Sequence, residues 1–453
     1  MSGFSSRRVG VEWRAALWAV RHPVVVGVPG AVAASAVEFG PTVTGLALGG
    51  LAAGVGAWWR AHPDSFDAVA APRLRAVRRR WLSRYMGGLW RDVLLDCDLA
   101  PTHRRTGLPR VPRVLRVRSF SPSVDTVFVR MVPGQTARQW EDAAERLASA
   151  LDAERVGVER VKPQVLGVIV QHRETFSGVL EAPEMPWDSE AVDLGAVGFG
   201  ETEYGDAWCE PVAGQHVFGV GATGAGKASL VWSPLRAMAP LIRDGLVRLW
   251  VCDPKRMELV RSEPIAYRYA AEPGDCVELV RGYVADLEDT ERRLASAGRR
   301  KFAVSRETPL NVLVLDELGA LLGFGDYALV KEMRRLLSYV GTQGRATGHS
   351  MWGFTQEPTK DVVPVRDLFT VRVCLRVTSA GHVDMALGDG ARLRGALADE
   401  IPNDPATAGI GYVLRQRSRL PMRVRASYVD DSEIDEFVRF VTAGRPGGLR
   451  AVA

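Results

Sequence analysis

Residues Gln215–Leu230 read QHVFGVGATGAGKASL, and the fold turns on them. Val217, Phe218 and Val220 predict a buried strand. It runs into Gly221-Ala222-Thr223-Gly224-Ala225-Gly226-Lys227, after which Ala228, Ser229 and Leu230 open a helix-compatible run. A glycine-rich turn at a helix N-terminus can aim backbone N–H groups inward without Cβ clashes, which is what bound phosphate requires. Gly221 to Ser229 is therefore the expected nucleotide loop, with Lys227 reaching the outer phosphates and ATP with Mg²⁺ as expected ligands. Position 228 departs from the pattern. A Ser or Thr hydroxyl there would be a Mg²⁺ ligand, but the residue is Ala228. Ser229 lies roughly 100° further around a helix and cannot simply take over. Binding survives such a loss more readily than hydrolysis.

About a hundred residues downstream, Val312-Leu313-Val314-Leu315 predicts a strand buried on both faces, as in a parallel sheet, and Asp316-Glu317 ends it. Asp316 is placed to hold the metal through water, and Glu317 to orient and deprotonate the attacking water. A third apolar strand, Ser350 to Thr355, ends in Gln356, the position from which a polar side chain can report on the γ-phosphate. The expected fold class is α/β, a P-loop motor domain over residues 201–453.

Toward the N-terminus the composition changes. With 47% hydrophobic and 25% charged residues the chain as a whole is globular, not disordered. Val24–Val37 and Phe39–Trp59 carry no charge, and only Glu38 divides them. The second stretch is long enough for a membrane-crossing helix, and the first is short unless Arg21 and His22 snorkel. Arg7, Arg8, Arg14 and Arg21 precede the pair, and Arg60 and Arg73 follow it. Residues 1–65 are thus expected to be a transmembrane helical hairpin with both ends inside, which gives a multi-pass protein of the cell membrane with a cytoplasmic motor. A buried hairpin in a soluble domain is the competing reading. Between Arg73 and Arg118 stand thirteen arginines against Asp92, Asp96 and Asp98, an excess that calls for an anionic neighbour, lipid headgroups or nucleic acid. Residues 66–112 are expected to be a basic juxtamembrane helix and linker on membrane lipids. Residues 113–200 are expected to be a small α+β module of strand, strand, helix and strand, without catalytic residues. Five scattered cysteines suggest reduced thiols, with Cys252 and Cys374 in the core.

The motifs together resemble the FtsK/SpoIIIE family, and most nearly the TraB-like plasmid and integrative-element transfer proteins of actinomycetes. The carrying residues are GATGAGKAS (Gly221–Ser229), CDPKRMEL (Cys252–Leu259), VLVLDELGALL (Val312–Leu322), GRATGHSMWGFTQEP (Gly344–Pro358) and VRVCLRVTSAGHVDMALG (Val371–Gly388). The resemblance implies a RecA-like motor that assembles as a hexameric ring and moves double-stranded DNA, here in conjugation, alongside other transfer proteins. It makes Asp316 and Glu317 the Walker B pair and Gln356 the sensor, with Arg345 and Arg372 candidates for an arginine supplied across a subunit boundary. Arg299, Arg300 and Lys301, in the loop after a helix spanning residues 276–297, and Lys360 are the expected DNA-phosphate contacts. The sequence leaves no room after Phe437 for the family's winged-helix domain, so these contacts are expected to be indifferent to base identity. Two other functions stay open: a coupling protein for a protein–single-stranded-DNA substrate, and a nucleotide-binding scaffold with impaired hydrolysis.

Overall fold

The structure, a computed structural model, describes residues 23–82, 85–119, 121–176, 178–300, 302–323, 326–415 and 420–444. Arg7, Arg8, Arg14, Arg21, His22 and Lys301 lie outside the described residues. The chain divides after Leu74 into two units.

In the first unit, helices Pro23–Phe39, Pro41–Ala61 and Pro63–Val69 follow one another. Pro41 and Pro63 each open a helix, where a missing N–H costs nothing. Gly40, at φ 85°, makes the break between the first two. The Ser35 and Thr44 hydroxyls share a hydrogen bond of 3.0 Å across that break. Pro41–Ala61 alone among the described helices is long and apolar enough to cross a membrane. Its side chains are almost all exposed, Leu46 by 72% and Leu51 by 67%.

The second unit begins with a four-stranded antiparallel sheet. Its strands are β1 (Arg113–Ser119), β2 (Val124–Arg130), β3 (Arg155–Lys162) and β4 (Val165–Gln171), in the order β1-β2-β4-β3. Where one helix was expected between β2 and β3 there are two, Ala137–Glu141 and Ala144–Leu151, and a reciprocal Thr136–Gln139 capping box starts the first. β3 itself was not expected. The expected linker also yields part of itself to this module. Helix Gly87–Asp96 buries Trp90, Val93 and Leu94 against Val127, Trp140, Leu147 and Val168, because those residues fall on one helical face.

The remaining strands form one mixed sheet: β5 (Val197–Thr202), β6 (Ala207–Glu210), β7 (Val217–Val220), β8 (Val247–Cys252), β9 (Arg268–Ala270), β10 (Leu310–Leu315), β11 (His349–Thr355), β12 (Val371–Leu375), β13 (Ile410–Leu414) and β14 (Met422–Ala426). Their order is β6-β5-β14-β13-β12-β7-β11-β10-β8-β9. From β12 to β9 neighbours are parallel, and from β12 to β6 antiparallel. Strand β5 runs across residue 200 and pairs with β14.

Side chains alternate across this sheet as the strand period demands. Leu313 and Leu315 pack with helices Pro273–Ser296 and Tyr327–Thr347 on one face. Val312 and Val314 pack with Lys227–Ala237 and Asp431–Ala443 on the other. Helices on both faces return the chain each time to the same edge, so the C-terminal ends of β7, β8, β10 and β11 converge. Ligands bind at that edge of open α/β sheets.

Candidate nucleotide site

The loop after β7 is braced on three sides. Gly221 N donates to the Thr355 carbonyl (3.1 Å), and Ala222 N to that of Arg376 (2.8 Å). Gly409 N donates to the Ala225 carbonyl (2.9 Å). A Cβ at Gly226, whose φ is 91°, would lie 2.5 Å from Gly409 N, so only glycine fits that close approach. Gly224, at φ 73°, faces open space. Lys227 Nζ donates to the Gly221 and Ala222 carbonyls at 2.9 and 3.4 Å, folding back over the cradle of its own loop. Burial pulls the Lys227 ammonium below its ordinary pKa. Such a cation, held within a glycine-rich loop at a helix N-terminus, fits a nucleotide phosphate chain.

Asp316 and Glu317 follow β10, one strand away from β7 across β11. Burial, followed by the nearby Asp253 carboxylate, pushes the Asp316 carboxyl up to about 7. Glu258 and Glu317 add to the push. Among the described residues no three acids, histidines or cysteines cluster as a metal cage. A Mg²⁺ ion here would therefore be held through Asp316 together with nucleotide phosphates and water, the mode this cation commonly takes.

Glu317 is engaged on both oxygens. Lys255 Nζ donates to Oε2 (2.8 Å), while Gln356 N (3.3 Å) and Gly319 N (3.4 Å) donate to Oε1. Gln356 in turn accepts from Thr223 Oγ1 at 3.2 Å, linking strand β11 to the phosphate loop. Ala228 directs a methyl where a hydroxyl was expected, and Ser229 is buried in the helix core.

Sequence reading missed two cations. Lys255 sits in a loop that Asp253 ties down, accepting from Arg256 N (3.0 Å), Leu259 N (3.2 Å) and Tyr269 Oη (3.2 Å). Its only signal was the Asp-Pro-Lys triplet at a strand end. Arg376, just beyond β12, donates from Nη2 to the Thr223 carbonyl (2.6 Å) and so holds the phosphate loop from behind. Nothing in the pattern of that strand distinguished it from Arg372.

The family model for the FtsK/SpoIIIE family matches residues 181–393, which contain every element of this site except Gly409. This segment is an FtsK/SpoIIIE-family domain. The DNA translocase FtsK of Lactiplantibacillus plantarum is 24% identical over 352 residues, 72% of this chain and 42% of that protein. The DNA translocase FtsK of Corynebacterium efficiens is 24% identical over 390 residues, 77% of this chain and 39% of that protein. The chain thus spans about two fifths of the length of these relatives. Among solved structures, the pCW3 conjugation coupling protein TcpA, in monomer form with ATPγS, aligns with TM-score 0.49 at 17% identity, covering 73% of this chain and 93% of that one. The cytoplasmic domain of the type VII secretion ATPase EccC of Thermomonospora curvata aligns with TM-score 0.46 at 20% identity, covering 59% of this chain and 32% of that one.

Within the FtsK/SpoIIIE domain the remaining candidates are dispersed. Arg345 is exposed at the end of helix Tyr327–Thr347, its Nε donating to the Gly214 carbonyl (3.0 Å) ahead of β7. Arg372 is the second residue of β12, 3.5 Å from Asp367. Both stand at the edge where the strands begin, opposite the phosphate loop, and neither reaches the loop of its own chain. Arg299 and Arg300 are exposed just past helix Pro273–Ser296, also near the starting edge. Lys360 lies 3.7 Å from Asp367 in the β11–β12 connection.

Proposed function

We propose that this chain is a membrane-anchored, ATP-driven double-stranded DNA translocase that works in conjugative transfer. The observation that carries the reading is the convergence of phosphate loop, acid pair and Gln356 on one sheet edge of an FtsK/SpoIIIE domain. Gly221–Ser229 and Lys227 bind the phosphates, and Asp316 holds Mg²⁺, which supplies charge neutralisation on the transferred phosphoryl group. Glu317 takes the proton of the attacking water once its carboxylate is free of Lys255. Gln356, bonded to both Thr223 and Glu317, reads the state of the site. Arg345 and Arg372 lie too far from their own loop to act in one chain, which favours a ring in which a neighbour supplies the arginine. A hexamer is the assembly we propose. Arg299, Arg300 and Lys360 contact DNA phosphates without reading bases. Helix Pro41–Ala61 crosses the membrane. The 17-residue helix Pro23–Phe39 is the shorter arm of the hairpin, reaching the interface only with its basic flank snorkelling. The motor is left in the cytoplasm.

The decisive experiment is the ATP hydrolysis rate of the full chain in detergent, with and without duplex DNA. Stimulation by duplex DNA in the absence of any relaxase is expected. A second reading, a nucleotide-binding scaffold, draws its support from Ala228 alone. It would prevail if nucleotide bound tightly while hydrolysis stayed at background with DNA present.

A further inference from the structure

The four-stranded module has one face covered by helices and one without them. Val117, Val127, Val168 and Val158 lie in register across β1, β2, β4 and β3, and they build the helix-covered core. The opposite face divides in two. On β3 and β4, Arg155, Gly157, Ile169 and Gln171 meet the motor domain: Arg155 pairs with Glu203, and Gly157 abuts the Arg394 carbonyl. On β1 and β2 the same face carries Arg113 opposite Arg130, Arg116 opposite Phe128, and Arg118 opposite Thr126. All four arginines are exposed. The guanidiniums of Arg116 and Arg118 lie 4.7 and 5.5 Å from the centre of the Phe128 ring. Among the described residues no carboxylate pairs with Arg113, Arg116 or Arg130. Like charges set directly opposite one another on paired strands destabilise a sheet, and an anionic ligand removes that cost.

We infer that this β1/β2 face is a second DNA-binding surface, which grips the phosphate backbone of duplex DNA outside the nucleotide-binding domain. The inference rests on the DNA reading proposed above. Charge alone would also suit a lipid surface, but lipid-binding faces insert apolar side chains between their cations. That combination is found in helix Ala71–Leu82, where Leu74 and Val77 are 55% and 59% exposed among arginines. The sheet face has arginines around a flat, half-buried ring. Alternate residues of a strand are about 6.8 Å apart along the backbone. The Phe128 ring packs against both the Arg116 and Arg118 guanidiniums, leaving planar forks suited to bidentate phosphate contacts.

The test uses the full chain in discs of neutral phosphatidylcholine and a short duplex of arbitrary sequence, titrated from about 50 to about 200 mM salt. Replacing Arg113, Arg116, Arg118 and Arg130 together by Gln should weaken duplex binding at least about tenfold. It should also flatten the slope of log affinity against log salt by about 0.9 for each phosphate that is no longer neutralised. In the parent, duplex DNA should slow hydrogen exchange over residues 113–130. An unchanged salt slope in the variant, with the parent binding DNA, overturns the inference and leaves the translocase reading standing. Loss of solubility without change in DNA affinity would mean that the arginines only guard an edge strand. Protection of residues 113–130 by phosphatidylserine discs but not by DNA would assign the face to lipid and overturn the inference as well. A parent that binds no duplex at all sinks both readings together.

Discussion

Position 228 and the lysine at 255 bear most directly on chemistry. With a methyl at Ala228, no hydroxyl is available there to hold Mg²⁺, and water would have to take its place. Mg²⁺ keeps several waters readily, so ATP affinity through Lys227 and the loop amides should survive. Positioning of the metal should not, and phosphoryl transfer depends on positioning. Ala228→Ser is therefore expected to raise DNA-stimulated turnover at least about tenfold with little change in ATP affinity, measured by steady-state hydrolysis beside nucleotide titration. Equal turnover in the two forms would mean that another group holds the metal. Lys255 works in the opposite direction. Its ammonium, on a side chain 40% exposed, holds a carboxylate that is only 9% exposed, so the lysine can leave while Glu317 stays. Losing that charge-assisted bond frees a lone pair of the base. Lys255→Met should raise turnover without DNA about fivefold, a barrier change on the order of 1 kcal/mol. A fall in turnover at unchanged nucleotide affinity would instead put Lys255 on the reacting phosphate.

Among the elements, those that define the motor were legible because their strands are buried on both faces and read as unbroken apolar runs. Val217–Val220, Leu310–Leu315 and His349–Thr355 stand where their sequences put them. β3 was not legible, since Arg155, Glu159, Arg160 and Lys162 interrupt its apolar residues and mimic a solvated loop. The site's loop, its acids and Gln356 could be read from motif spacing. Lys255 and Arg376 could not, because their partners, Glu317 and Thr223, lie in segments distant in sequence. His216 is a further case. It lies just before β7, wholly buried, and accepts at Nδ1 from Met351 N (3.0 Å), while its carbonyl accepts from Thr370 and Val371 N (3.0 Å each). It therefore ties together the beginnings of β7, β11 and β12. Burial, with Arg345 nearby, drives its pKa from 6.5 down to about 4. The folded protein holds it neutral while the unfolded chain takes up the proton first, so stability is complete above pH about 6.5 and falls as the pH drops toward about 4. That loss can reach about 3 kcal/mol for this one group. His216→Asn, which keeps an acceptor for Met351 but does not titrate, should flatten the fall. Urea midpoints compared at about pH 7 and about pH 4.5 would show it, and parallel pH dependence in both proteins would clear His216 of the role.

At the scale of the molecule, the arginine excess between Arg73 and Arg118 could be read as a charge but not as a geometry. The fold separates it into a helix with apolar neighbours and a bare sheet face, and only the pairing of β1 with β2 makes that distinction. The join between module and motor was equally hidden, because it depends on Arg155 in the strand that was not legible. Its Nη2 meets Glu203 at 2.6 Å, its Nη1 donates to the Gly395 carbonyl (2.7 Å), and its Nε to Gln171 Oε1 (3.1 Å). The guanidinium also lies over the Tyr412 ring at 5.2 Å. Arg155 and Glu203 are 8% and 2% exposed, so removing one strands the other charge away from water. A buried pair broken on one side commonly costs about 3–5 kcal/mol, while replacing both partners with apolar residues of similar volume is often neutral. Arg155→Met should accordingly lower the stability of the chain by about that amount, seen by tryptophan fluorescence as an earlier, separate urea transition of the module. Arg155→Met combined with Glu203→Met should recover most of the loss, because no uncompensated carboxylate remains. If the double variant were as unstable as the single one, the stability of the join would come from the Gly395 and Gln171 bonds and not from the ion pair.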